Sequence, residues 1–307
     1  YIIKTVKTPN GKKTKIVFIG ILTKTMPSLT TYKNYHPYKY LDEATTIAKY
    51  DRILRKKGIK AIVVMAHTGV ASTVDAQGKA TTTGASVDIL KKLYKIDPHN
   101  SVDVYLAGHS HQYANAKVGH TNLVQAIYSG EAYDNVIGYI DPKTHDFVKN
   151  SVKSHVFPVL SAKDDPKVKD DAKVNAIVQD ADKRVASIVN QKVGEAANAT
   201  SFTGRDANNK YQENETGDVV VDAQLAQAKK ENRENVDFAM TNGGGVRAGL
   251  KVKPNKSITW GAAQDVQPFG NMLYVVAMTG QQIYDVLNQQ YKNGRTYLLV
   301  SGLKYDF

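Results

Sequence analysis

Two apolar runs in this sequence end in histidine, and this shared ending is the feature that most constrains the fold. Ala61–Ala66 is followed at once by His67, and Val102–Ala107 is followed within four residues by His109 and His111. Uninterrupted apolar runs of this length predict strands that are buried on both faces of a parallel sheet. Because the carboxyl ends of parallel strands meet at one edge, we expect the three imidazoles to gather there. Imidazole is a preferred ligand of zinc and similar metals, so the pattern predicts a metal site.

The spacing of the second histidine pair suggests how its side chains point. In an extended segment alternate residues face the same side, so His109 and His111 are predicted to face one cluster while Ser110 faces away. A histidine after a strand is also a common hydrogen-bonded structural residue, and the pair favours metal binding over that alternative. The other histidines lie in polar stretches and are predicted to be surface residues: His36, His99, His120, His145 and His155.

Composition excludes several classes of protein. A length of 307 residues suits two domains, and the absence of cysteine excludes disulfides, thiolate metal ligands and a cysteine nucleophile. No run of about eighteen apolar residues occurs, so we expect no transmembrane segment. The net charge of +12 comes from lysines scattered along the chain, without an arginine-rich stripe. We therefore expect no nucleic acid polymer as partner, and attraction to small anions or to an anionic cell envelope remains open.

The first half of the chain alternates strand and helix patterns, which predicts a covered, largely parallel sheet. The last two predicted strands are joined by a short connection and are expected to be antiparallel. The predicted elements are a hairpin of Ile2–Val6 and Lys15–Gly20, helices Asp42–Lys57 and Ser86–Tyr94, and strands Ile59–Ala66, Val102–Ala107, Asn122–Tyr128 and Val136–Asp141.

Near residue 160 the pattern changes to a long helix with an apolar stripe, Asp170–Gln191, which we interpret as a connector between domains with a hinge near Gly194. The predicted boundaries are residues 1–160, a connector at 161–195 and a second domain at 196–307. Later predicted elements are a loop at Asn198–Gly217, helices Asp218–Lys230 and Gly280–Tyr291, and strands Phe238–Met240, Leu273–Met278 and Tyr297–Val300.

Four motifs, in this order, resemble a known family. The stretch Ile62–Gly69, followed by Ala107–His111, resembles the last two metal motifs of the calcineurin-like metallophosphoesterases. Asn242–Arg247 and Val266–Asn271, leading to Met278–Gly280, resemble the substrate-binding domain of the 5′-nucleotidase family, whose architecture 2′,3′-cyclic-nucleotide 2′-phosphodiesterases and UDP-sugar hydrolases share. The resemblance implies an α/β (α+β) fold: part of a calcineurin-like metallophosphoesterase sheet layer, a linker helix, and a 5′-nucleotidase C-terminal α/β domain.

The resemblance also implies a reaction. Members of this family hydrolyse the phosphate ester of a 5′-nucleotide with water activated by two divalent metal ions, zinc, manganese or similar. By resemblance His67 and His109 bind one ion and His111 binds the other. The alternatives are a 2′,3′-cyclic-nucleotide phosphodiesterase/3′-nucleotidase, a UDP-sugar hydrolase, and, from another class, a non-catalytic nucleotide-binding cell-surface protein.

The resemblance assigns nucleotide recognition to the second half. Arg247 would bind the phosphate through its planar fork, and Asn242 would hydrogen-bond the nucleoside. Phe269 would stack on the base, while Gly244 lets the backbone approach the ligand closely. Lys210 is placed where family members have a further phosphate-binding arginine.

Other parts of the family pattern are not found. Arg205 competes with Lys210 for the further phosphate contact. The Asp-x-His, Gly-Asp and Gly-Asn-His segments that supply the bridging aspartate and the catalytic histidine are not found ahead of Ile62, so no catalytic residue is predicted in this sequence. We expect an internal fragment of a longer enzyme, which by itself binds metal weakly and is inactive. The family is mostly exported, so we expect an extracellular or wall-associated protein, anchored outside this stretch.

Overall fold

The computed structural model describes residues 1–8, 11–204, 214–231, 236–290 and 298–306. The chain forms two compact units, Tyr1–Lys169 and Asp170–Phe307. Each unit mixes helices with strands, which confirms the predicted α/β fold class.

The first unit is built around a six-stranded sheet and two long helices. Its strands are β1 (Ile2–Lys7), β2 (Lys13–Leu22), β3 (Ile62–His67), β4 (Ala71–Val74), β5 (Ala80–Thr83), β6 (Val102–Leu106), β7 (Ala114–Val118), β8 (Thr121–Gln125), β9 (Ala132–Ile137), β10 (Ile140–Asp141), β11 (Asp146–Phe147) and β12 (Lys153–Pro158). Its helices are α1 (Tyr32–Tyr35), α2 (Glu43–Lys56) and α3 (Ala85–Ile96).

The strand order of the main sheet is β1-β2-β3-β6-β8-β7. The four inner strands run parallel, and the edge strands β1 and β7 are antiparallel to their neighbours. The predicted parallel sheet and amino-terminal hairpin are therefore confirmed. The carboxyl ends of β2, β3 and β6 lie side by side at one edge of this sheet.

Both faces of the central strands are covered, as their uninterrupted apolar sequences predicted. Side chains of α2 and α3 pack on one face, where Ile47, Val64 and Leu90 belong to the main core. On the other face Val63 and Val152 belong to a smaller cluster. Burial on both sides explains why β3 contains no polar residue before His67.

The boundaries of α2 follow from its capping residues. The Asp42 carboxylate accepts a hydrogen bond from the Thr45 backbone N–H and caps the helix amino terminus. At the other end Gly58 has φ +72°, the left-handed conformation that ends many helices and that glycine adopts without strain. The predicted helix Asp42–Lys57 is thus confirmed to within a residue at each end.

The predicted pairing of the two strands after β6 is wrong. β8 pairs with β6 and β7, whereas β9 pairs with β12. The two-residue loop Gly119–His120 joins β7 to β8, and Gly119 has the positive φ that such tight turns require. Sequence reasoning missed β7, although Ala114–Val118 alternates apolar and polar residues.

Among its described residues, the second unit has four α-helices and four short strands. They are α4 (Ala172–Val189), β13 (Lys192–Glu195), α5 (Glu215–Glu231), β14 (Ala239–Asn242), β15 (Ser257–Thr259), α6 (Trp260–Val266), α7 (Gly280–Gln290) and β16 (Leu298–Ser301). β13 pairs with β15, and β14 pairs with β16. A core around Val246, Leu250 and Val266 joins α5, β15, α6 and β16.

Two predictions for the second unit meet different outcomes. The long helix is confirmed as α4, and its apolar stripe is exposed along its length, with Ile177 69% exposed. The predicted strand Leu273–Met278 is wrong, because residues 271–279 form neither helix nor strand. β14 pairs with β16 instead, which leaves that apolar stretch without a ladder partner in the described part of the chain. Over the described residues no helix combines the length and apolarity that crossing a bilayer requires.

The side chain of Asp103 is partly buried near the amino-terminal ends of the parallel strands. His145, predicted to be a surface residue, is half-buried, and its Nδ1 lies 3.1 Å from Thr14 Oγ1. The hairpin of β10 and β11, which contains His145, also places Asp146 near Asp103 at the start of β6. Within the described chain the buried Oδ2 of Asp103 has no hydrogen-bond partner. Burial, followed by the charges of Asp146 and Asp51, raises the pKa of Asp103 to about 8.

This carboxyl group makes stability depend on pH. Folding raises the pKa of Asp103 from 3.8 to about 8, so the folded protein retains a proton that the unfolded chain releases. The contribution of Asp103 to the free energy of unfolding therefore falls as the pH rises from 3.8 to about 8. We expect Asp103→Asn to raise the free energy of unfolding at pH 8 by about 1–3 kcal/mol and to change it less at pH 5, measured by urea unfolding.

The matched control is Glu131→Gln, which neutralises an exposed carboxylate of the same unit. It should change the free energy of unfolding little and equally at both pH values. A destabilisation by Asp103→Asn at pH 8, or equal effects at the two pH values, would contradict the assignment.

Candidate functional site

The carboxyl edge of the main sheet brings His67 and His109 together. His67 is the last residue of β3, and His109 follows the neighbouring strand β6 by three residues. His109 Nδ1 lies 3.2 Å from His67 Nε2, and the ring centroids are 4.9 Å apart. Both side chains are exposed, so a ligand can reach them.

The loop that carries the second histidine pair differs from the extended segment that the sequence predicted. His109 has φ +77° and His111 has φ +57°, left-handed conformations that residues other than glycine rarely adopt. Each costs free energy and persists only where surrounding contacts impose it, and such residues are enriched at functional sites. The turn, rather than strand alternation, therefore aims His109 at His67.

A buried polar network imposes this turn. Ser110 Oγ donates to the Val70 carbonyl at 2.7 Å and accepts from the Val70 N–H at 3.0 Å. Gln125, buried at the end of β8, donates from Nε2 to Ser110 Oγ at 2.9 Å. A Cβ on Gly69 would lie only 2.9 Å from Ser110 Cβ, so a glycine is required there. Sequence reasoning missed Ser110 and Gln125, although a glutamine inside an apolar strand was an available signal.

His111 turns to a different neighbour. Its ring stacks on Tyr128, with centroids 5.6 Å apart and ring planes 24° apart. Partial burial of its ring, followed by repulsion from His67 and His111, lowers the pKa of His109, which favours the neutral form that metals bind. Across the described ranges, no group of three His, Asp or Glu side chains is close enough to hold a metal ion.

The spacing of the first two imidazoles fits two ligands of one ion. Two nitrogens bound at about 2.0–2.1 Å to one tetrahedral zinc ion lie about 3.3 Å apart. The observed 3.2 Å matches that value, and it also suits a hydrogen bond between neutral rings. The described residues therefore offer half of a metal coordination shell at this edge, and further ligands would have to come from elsewhere.

In the second unit, the predicted nucleotide-binding residues meet around a glycine turn. Asn242 ends β14, and Gly243–Gly245 form a short 3-10 turn directly after it. A Cβ on Gly244 would lie 3.1 Å from Asn242 Nδ2, so only glycine leaves the amide of Asn242 undisturbed above the turn.

Arg247 and Phe269 meet beside the same turn. The Arg247 guanidinium carbon lies 5.6 Å from the centre of the Phe269 ring, within cation–π range. The Arg247 Nη1 also donates to the Gly244 carbonyl, at 3.4 Å. The Phe269 side chain is 57% exposed, which leaves ring surface open to a planar ligand.

A cavity of about 820 Å³ opens next to this group. Asn242, Gly245 and Phe269 line it, whereas Gly244 and Arg247 are not among its lining residues. Much of its wall comes from residues that sequence reasoning did not single out, on α5, on α6 and in the stretch after Phe269: Val220, Gln224, Ala263, Met272 and Tyr274. The volume lies within the range of small-molecule sites. Lys210 and its competitor Arg205 lie outside the described residues.

Comparison with known proteins identifies a family for the second part of the chain. Residues 192–307 match the family model of the 5′-nucleotidase C-terminal domain. The chain is 41% identical to Cell wall protein Lmo0130 of Listeria monocytogenes, over 95% of this chain and 38% of that protein. It is 32% identical to Endonuclease YhcR of Bacillus subtilis, over 92% of this chain and 21% of that protein. The chain thus spans less than half the length of either relative.

The fold has a counterpart among solved structures. It matches a crystal structure from Staphylococcus aureus, titled as a 5′-nucleotidase in complex with α-ketoglutarate, with a TM-score of 0.61 and 16% identity. The match covers 97% of this chain and 54% of that chain. At this identity the similarity shows the fold alone, and the sequence match over 192–307 adds the family. Residues 192–307 belong to the family of 5′-nucleotidase C-terminal domains.

Proposed function

We propose that the whole protein is a metal-dependent hydrolase that releases phosphate from 5′-nucleotides. The match of residues 192–307 to 5′-nucleotidase C-terminal domains supports a nucleotidase-type hydrolase. The observation that carries the proposal is the 3.2 Å approach of His67 and His109 at the carboxyl edge of a parallel sheet, held by a strained turn. That edge is where α/β folds usually bind ligands, and imidazoles there suit divalent metals.

In this proposal the three histidines divide between two metal ions. His67 and His109 would hold one ion, and His111 would hold the other. When bound, two divalent ions supply Lewis acidity to the phosphate and lower the pKa of water. Ser110 acts as a positioning residue, because its hydrogen bonds to Val70 keep the two histidine loops together.

The second unit supplies recognition. Arg247 binds the phosphate with a planar pair of N–H groups, which lysine cannot reproduce. Asn242 hydrogen-bonds the nucleoside, and Phe269 stacks on the base while Arg247 lies against its ring. Because Gly244 has no side chain, the ligand can approach the backbone of this turn closely. Lys210 is proposed as a further phosphate contact.

The metal assignment predicts a loss of turnover. In the whole protein with Mn²⁺, His109→Ala should lower phosphate release from AMP by at least about 100-fold, because even indirect supports of metal ligands cost 10–100-fold. The affinity for AMP should change by less than about twofold, because in this proposal the residues that bind the nucleotide belong to the second unit. Parallel assays with 2′,3′-cyclic AMP and UDP-glucose identify the preferred ester.

The control is His99→Ala, which removes an exposed histidine just ahead of β6. It should leave phosphate release unchanged. Normal turnover by His109→Ala would exclude the metal site. Nucleotide binding without hydrolysis of any of the three substrates by the whole protein would instead favour a non-catalytic nucleotide-binding surface protein, which the lack of a complete ligand group in the described residues also permits.

The recognition assignment predicts a loss of affinity. Phe269→Leu should weaken AMP binding about tenfold, because stacking contributes on the order of 1–3 kcal/mol per base. Arg247→Lys keeps the charge but loses the fork, and a loss of similar size is expected. Isothermal titration with AMP measures both.

Tyr284→Leu serves as the control, because Tyr284 is an aromatic residue of the same unit that is 64% exposed and does not line the cavity. Its AMP affinity should equal that of the unaltered protein. Equal affinities for Phe269→Leu and Tyr284→Leu would exclude stacking at residue 269.

We also propose an extracellular, wall-associated location. One relative is named a cell wall protein, and the net charge of +12 would favour retention by an anionic wall. Cell fractionation with an antibody to this chain tests the proposal, and recovery from the cytosol alone would contradict it.

A further inference from the structure

A tyrosine-rich stretch near the amino terminus has no role in the function described above. Residues 32–40, here called the tyrosine segment, contain four tyrosines, two lysines and one histidine. Residues 1–41 as a whole contain eight lysines and no aspartate or glutamate. Aromatic side chains interleaved with uncompensated positive charge are the composition that single-stranded nucleic acid sites use.

The loop that contains this segment leaves the sheet at the functional edge. Residues 23–42 connect β2 to α2, so they leave the sheet at the carboxyl end of β2. Leu22, the last residue of β2, is paired in register with His67. The tyrosine segment therefore belongs to a loop that starts beside the paired histidines.

The aromatic side chains are arranged by contacts with each other. The Tyr32 ring stacks on His36, with centroids 4.6 Å apart and planes 11° apart. The ring of Tyr35 meets Tyr32 edge-on at 5.5 Å. Tyr32 nevertheless remains 67% exposed, and Tyr38 is 69% exposed. Because these contacts hold the Tyr32 ring, it loses little conformational entropy when a base stacks on it.

The positive charges of the segment are not neutralised locally. Lys33 and Lys39 are exposed, and neither forms an ion pair with any described residue. The nearest acidic residue along the chain, Asp42, instead pairs with Lys24 and Lys92. Lys33 and Lys39 are therefore available to phosphates that follow the stacked bases.

We propose that the tyrosine segment binds single-stranded nucleic acid, with bases stacked on Tyr32 and Tyr38 and phosphates bound by Lys33 and Lys39. The inference rests on the proposed function, because it extends the substrates of the histidine edge to the phosphate of an oligonucleotide strand. It departs from the sequence-based expectation that no nucleic acid polymer is a partner.

The chemistry favours this ligand over other polyanions. Teichoic-type wall polymers and polyphosphate carry phosphates but no planar rings, so they would use the lysines and leave the tyrosines unused. Duplex DNA keeps its bases stacked inside the helix, where the tyrosines cannot reach them. A single strand offers both groups at once.

The test is fluorescence anisotropy of a labelled oligothymidylate of about ten nucleotides with the 307-residue chain. We expect Tyr32→Leu and Tyr38→Leu each to weaken binding about tenfold, because leucine keeps apolar area but offers no ring face. The double variant Lys33→Gln with Lys39→Gln should reduce the dependence of affinity on salt between about 50 and 200 mM.

Matched controls separate these effects from general changes of the surface. Tyr139→Leu removes a tyrosine of the same unit that is 71% exposed, and Lys91→Gln with Lys95→Gln removes two exposed charges on α3. The tyrosine control should leave oligonucleotide affinity unchanged, and the lysine control should leave the salt dependence unchanged. Circular dichroism confirms that each variant is folded.

Two outcomes would overturn the inference: binding that is insensitive to Tyr32→Leu and Tyr38→Leu, or equal competition by polyphosphate of the same length. Phosphate release from AMP by the whole protein distinguishes a failure of the proposed function. Oligonucleotide binding without AMP hydrolysis would contradict the nucleotidase proposal alone, whereas AMP hydrolysis without oligonucleotide binding would contradict only the present inference.

Discussion

The hydrogen bonds of one serine hold the candidate site together. Ser110 bonds to both backbone groups of Val70 and accepts a bond from the buried Gln125, so it ties the loop after β6 to the loop after β3. Without these bonds the left-handed turn at His109 would relax, since residues other than glycine seldom adopt this conformation. The separation of the two imidazoles therefore depends on a buried polar network rather than on the imidazoles themselves.

The sequence predicted those elements of the first unit that have a regular hydrophobic pattern or clear capping residues. The parallel strands are recognisable because burial on both faces removes polar residues from them, and Asp42 and Gly58 mark the ends of α2. The approach of His67 to His109 follows from the same reasoning, because adjacent parallel strands must end at one edge. These features need only local pattern and sheet geometry.

Other features depend on partners that are distant in sequence. The turn at His111 is fixed by long-range contacts, so an alternation argument gave the wrong geometry for its loop. The stretch Leu273–Met278 has the composition of a strand, but β16 occupies the edge of β14. Likewise, the cavity beside Phe269 is lined by residues of α5 that no motif identifies.

The close approach at Gly69 has a consequence for how this edge tolerates change. A single added methyl group there would meet Ser110 at 2.9 Å and push the two loops apart, although position 69 carries no chemistry of its own. The lack of room for a side chain at position 69 therefore limits which sequences can keep the two imidazoles this close together. A search for divergent homologues that retain this edge of the sheet should give a glycine at position 69 as much weight as the histidines.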